Sequence, residues 1–126
     1  MSPSDALRST PRVVRLLVTR THIALASKAI TASTVFARMM GLLNRQGLED
    51  GEALILPRCQ SIHTIGMRFP IDVAFVDREW RVVGLFAPLV PWRMVGPVWN
   101  AWSAVELPAG SLRRAGVVVG DRLQVS

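Results

Sequence analysis

The hydrophobic pattern of this chain changes period several times, and each change marks an element. Arg12-Val-Val-Arg-Leu-Leu-Val18 is a short apolar stretch that predicts a strand. Thr21 to Ser27 sets His22, Ala24 and Ala26 against Ile23 and Leu25, the alternation of a second strand. The period then becomes helical. Val35, Met39, Leu42 and Leu43 recur at helical spacing, and Phe36 and Met40 widen the face. Thr31, Ser33 or Thr34 can cap the start, Arg38 and Arg45 suit the late turns, and Gly47 ends the segment. This is the main predicted helix.

Beyond a turn at Leu48-Glu-Asp-Gly51, Ala53 to Leu56 predicts a buried strand stopped by Pro57. Ile71 to Asp77 and Arg81 to Phe86 read as strands joined by a hairpin turn at Asp77-Arg-Glu-Trp80. Pro88, Pro91, Gly96 and Pro97 break the next segment into a loop carrying Trp92 and Trp99. Trp102 to Leu107 is a further strand, Ala109 to Ala115 a short helix, and Val117 to Val119 with Asp121 to Val125 close the chain as strand. Residues 1 to 11 read as a loose tail and residues 12 to 126 as one domain. The expected class is α+β: a compact, β-rich, barrel-like antiparallel or mixed sheet with one main and one short helix.

Composition narrows this picture. The chain has 126 residues, half of them apolar, enough for one core without disulfides. Cys59 stands alone, so no internal disulfide can form, which fits a reducing compartment. The start, Met1-Ser-Pro-Ser-Asp-Ala-Leu-Arg8, lacks the basic and apolar regions of a signal peptide, and no apolar run is long enough to span a bilayer. A soluble cytoplasmic monomer is expected.

The net charge of +6 is uneven. Arg8, Arg12, Arg15, Arg20, Lys28, Arg38 and Arg45 face Asp5 alone, while from Gln46 onward arginines and carboxylates balance. Such asymmetry can mark an interaction module that uses its basic N-terminal third. These charges are scattered, no aromatic residues interleave with them, and no recognition motif appears, which argues against nucleic acid.

The chemistry concentrates between Cys59 and Asp77. Cys59 and His63 form a C-x3-H pair, but an extended backbone holds them about 13 Å apart, at ~3.3 Å per residue. Covalent catalysis would need them in contact, so a buried inert thiol is the competing state. Cys59, His63, His22 and Asp72 follow no standard metal-ligand spacing, so neither metal nor cofactor is expected. Asp72 lies between Ile71 and Val73, and Glu106 between Val105 and Leu107, each a charge inside an apolar strand that requires partners. Arg68 is the nearest cation to Asp72 in sequence.

Four pieces of the chain, in this order and spacing, resemble a known family: Arg38-Met-Met-Gly-Leu-Leu43, the run Ser61 to Asp77, Val105-Glu-Leu-Pro-Ala-Gly110, and Gly116 with Gly120-Asp121. They are similar to the bacterial and archaeal domain of unknown function 192, over roughly residues 21 to 126. The resemblance implies a small β-barrel-like domain with one or two short helices and no established activity. Many members carry a secretion signal or lipid anchor, and many are aromatic-rich where this chain reads Cys59-Gln-Ser-Ile-His63.

The residues together predict a domain that binds a small ligand or protein partner through a groove near residues 59 to 72. Cys59, His63, Met67, Arg68, Asp72, Trp92 and Glu106 are its candidate residues, with Arg68 facing an anion and Asp72 orienting it. The alternative is a small hydrolase or lyase using His63 and Asp72 as acid and base.

Overall fold

The computed structural model describes residues 13–31 and 48–126. The predicted main helix falls within 32–47, outside the described residues. The regular structure described is almost entirely strand, with one short helix. In chain order come β1 (Val13–Val18), β2 (Ile23–Thr31), β3 (Glu52–Pro57), β4 (Ile62–His63), β5 (Ile71–Val76), β6 (Val82–Leu89), β7 (Met94–Val95), β8 (Ser103–Pro108), α1 (Ser111–Arg114) and β9 (Leu123–Val125).

Seven strands form one sheet in the order β6-β5-β8-β3-β2-β1-β9, and β4 pairs with β7 in a separate ribbon. Among the described residues only the β2–β3 pair is parallel; the other ladders are antiparallel. Register shifts interrupt the β1–β2 and β5–β6 ladders, and such bulges add twist. The sheet curls into a half-barrel. Its two edges touch at one end: Val82 N donates to Asp121 O (2.7 Å), Gly120 N to Val82 O (2.8 Å) and Leu123 N to Trp80 O (2.9 Å).

The central strands are buried on both faces, which is why they read as near-continuous apolar runs in sequence. Alternate side chains go to two clusters. Ala53, Ile55, Ala74, Val76, Val105 and Leu107 join Leu16, Val18 and Leu112 of α1 on one face. Leu54, Leu56, Ile71, Val73, Phe75 and Ala104 form the other cluster, joined by Ile62 and Met67. Thr64 fastens the β4–β7 ribbon: its N donates to Arg93 O (2.8 Å), and its Oγ1 donates to Val90 O (2.7 Å) and accepts from Arg93 N (3.0 Å).

Several boundaries differ from expectation, and β2, expected over Thr21 to Ser27, runs on to Thr31. β6 continues through Pro88 to Leu89, which an edge strand tolerates because its outer N–H side needs no partner. The loop after it contains β7. Val117 to Val119 is a turn, not a strand. Asp121 Oδ2 accepts from Val118 N (2.9 Å), and Arg20 grips Asp121 (2.7 Å) and Gly116 O (2.9 Å), so the segment folds around the carboxylate. The short helix is present as a single turn. Among the described residues no helix is long and apolar enough to cross a membrane.

Candidate functional site

The seven candidate residues do not converge. Asp72 is fully buried on β5, where its Oδ2 accepts the N–H of Leu112 (2.9 Å) and so anchors α1. Its Oδ1 has no partner among the described residues. Arg68 is exposed and forms no ion pair with Asp72, because Asp72 points toward α1 while Arg68 lies in the turn before Pro70. The expected Arg68–Asp72 pair is therefore absent. His63 is exposed on β4 opposite Met94, so it does not meet the buried Asp72 as an acid/base pair would require.

Glu106 is also buried, but on the opposite face from Asp72. The β5–β8 register pairs Val73 with Glu106 and Asp72 with Leu107, and directly paired residues share a face. The two carboxylates therefore cannot share a proton. Burial pushes the Glu106 carboxyl up to about 7, and its Oε2 has no hydrogen-bond partner among the described residues. Met67 is buried in the cluster on the Glu106 side. Trp92 is 65 % exposed beside the ribbon, near exposed Met94. Among the described residues no cluster of His, Cys, Asp and Glu gathers in metal-binding number.

Cys59 is half-buried, and its thiol donates to Ser61 O (3.1 Å). Burial pushes the thiol up, the contact with Ser61 acts the other way, and the Glu106 charge adds to the rise. This is the environment of a protonated thiol rather than a nucleophilic thiolate. Cys59 lines a cleft of about 570 Å³ with Arg58, Gln60, Ser61, Pro97, Ala101 and Trp102.

That cleft adjoins a larger one of about 770 Å³, with Gln60, Ala101 and Trp102 common to both. Here the fold gathers residues that sequence reasoning did not bring together. Trp102 N donates to Val76 O (2.8 Å) and Cys59 N donates to Trp102 O (3.1 Å), so Trp102 sits where β3 and β5 both exit the sheet. The residues that follow those strands reach its ring. The Arg78 guanidinium lies 4.0 Å from the ring centroid and that of Arg58 lies 5.9 Å from it. Arg58 has a left-handed backbone (φ 54), a conformation costly for a side-chain-bearing residue and found preferentially at functional sites.

The cleft's polar groups divide into committed and uncommitted. Asp77 Oδ1 accepts the N–H groups of Glu79 (2.9 Å) and Arg81 (3.0 Å), which closes the hairpin turn. Glu79 approaches Arg122 at 3.5 Å. Among the described residues Arg58, Arg78 and Arg81 pair with no carboxylate. Gln60 Nε2 donates to Trp99 O (2.8 Å) and Ala101 O (3.2 Å), which fixes its amide at the cleft wall. Trp99 stands on the same wall with 79 % of its surface exposed. The sequence signal available for this site was slight: one arginine inside a predicted hairpin turn and one just after it, and tryptophans on either side of Asn100.

Residues 17–125 match the family described as Uncharacterized ACR, domain of unknown function 192, and the chain belongs to it. Two solved structures share the fold. One, from Sinorhizobium meliloti 1021, is provisionally described as a transcription regulator; it is 20% identical, with 93% of this chain and 95% of that chain covered and a TM-score of 0.75. The other, a protein of unknown function from Novosphingobium aromaticivorans DSM 12444, is 22% identical, with 90% and 84% covered and a TM-score of 0.72. No curated protein matches the chain.

Proposed function

We propose that this domain is a binding module that takes an anionic ligand into the cleft around Trp102. Three arginines without carboxylate partners, two of them against one indole ring, carry the reading. Arg20 offers the contrast. It is held by Asp121 and Gly116 and is occupied in joining β1 to the 116–121 turn. Arg78 is exposed and lies against a ring instead, and among the described residues no acceptor occupies its N–H groups, which leaves them available to an oxyanion. The cleft overlaps the expected groove only at Cys59, Gln60 and Ser61. The unpaired thiol is consistent with work in a reducing compartment.

The test is thermal unfolding with and without inorganic pyrophosphate. Wild type is expected to melt several degrees higher with pyrophosphate in large excess over its Kd. Arg78→Ala, at an exposed position, should melt close to wild type alone and lose that rise. An equal rise in both proteins would put the anion elsewhere and remove the reading.

A further inference from the structure

We infer that the ligand of this cleft is a free nucleotide, its base stacked on Trp99 and its phosphate held by the arginines beside Trp102. The inference rests on the anion-binding reading and adds a second recognition element to it.

Bare anion binding accounts for the arginines but not for Trp99. An indole that is 79 % exposed contributes little to the core, and its backbone carbonyl is fixed by Gln60. The ring is thereby presented at the edge of a cleft already lined by Arg78 and Arg81. A planar heteroaromatic group gains stacking energy on such a ring whatever its sequence context.

Two amide groups line the same cleft as the ring and the cations. The nitrogen of Gln60 is occupied by two carbonyls, so its Oε1 is the side that remains to accept a hydrogen bond. Asn100 lines the same wall and offers both a donor and an acceptor. Amides of this kind complement the donor and acceptor edge of a base. The volume of about 770 Å³ lies within the usual range of small-molecule sites. Stacking surface, amide edge and cations are the three parts of a nucleotide-binding site, and here they come from three separate stretches of chain: 58–60, 78–81 and 99–102.

Calorimetric titration of the full-length protein with AMP, adenosine and inorganic phosphate separates the parts. AMP should bind at least about tenfold more tightly than phosphate or adenosine. Trp99→Ala, which keeps the carbonyl that Gln60 uses, should lose about tenfold for AMP and nothing for phosphate. AMP binding no tighter than phosphate, or Trp99→Ala matching wild type, overturns the nucleotide inference while the anion reading stands. Absence of binding by both AMP and phosphate overturns both. A single-stranded oligonucleotide that binds where AMP does not would assign the site to a nucleic-acid strand and overturn the free-nucleotide assignment.

Discussion

Glu106 couples the stability of the fold to pH. It projects from β8 onto the face shared with Leu54 and Val73, and burial holds its carboxyl in the neutral form up to about 7 against an ordinary 4.5. The unfolded chain releases this proton at the ordinary value, so between the two pH values the folded state binds more protons than the unfolded one. Its contribution is therefore full below about pH 4.5 and is lost as pH rises through about 7. The difference amounts to about 3 kcal/mol, at about 1.4 kcal/mol per pH unit. Glu106→Gln keeps the shape and removes the charge. The variant should match wild type in urea midpoint at pH 5 and exceed it at pH 8. Parallel stabilities across that range would show that Glu106 does not titrate in the folded state's interior.

Gly96 decides how the segment after β7 meets the chain after β3. It has φ 100, and a Cβ there would lie 2.5 Å from Gln60 O and 2.9 Å from Ser61 Oγ. The close approach lets Val98 N donate to Gln60 O (2.8 Å), which holds the Cys59 end of the cleft together. Gly96→Ala should cost about 2 kcal/mol or more in thermal unfolding, from backbone strain and contact with backbone atoms that cannot yield. Gly84→Ala is the control: its Cβ meets nothing nearer than 3.7 Å, and the change should be nearly neutral or slightly stabilising. Equal effects at the two positions would contradict this account. The same segment shows what was legible in sequence. Strands β3, β5 and β8 announced themselves because they are buried on both faces and are largely apolar, with one buried carboxylate each in β5 and β8. The β4–β7 ribbon did not, since two-residue strands have no period and their hydrogen bonds depend on Thr64. Asp72 and Glu106 were legible as buried charges, but not their facing, which needs the β5–β8 register. The cleft was invisible for a related reason: Arg58, Arg78 and Trp102 are neighbours only because β3 and β5 both flank β8.

At the scale of the whole molecule, the sheet joins two clusters that cannot be released separately. Every central strand serves both: Ile55 and Leu54 on β3, Val76 and Phe75 on β5, Val105 and Ala104 on β8 point to opposite clusters. Peeling one cluster open exposes the backs of strands that the other still needs. The half-barrel also has its edges tied, β6 to the approach of β9 through Val82, Gly120 and Asp121. Fraying from one edge would therefore break contacts at the other. The described sheet should unfold in one cooperative step. The tryptophans give a check on this, because Trp80 packs against the α1-side cluster while Trp102 lines the cleft where β3 and β5 end. Tryptophan fluorescence reports that local packing, and far-UV circular dichroism reports the strands as a whole. In a urea titration the two midpoints should coincide. A fluorescence transition that precedes the loss of strand signal would mean that one side opens before the sheet, and the tie across Val82 would not be holding the two faces as one unit.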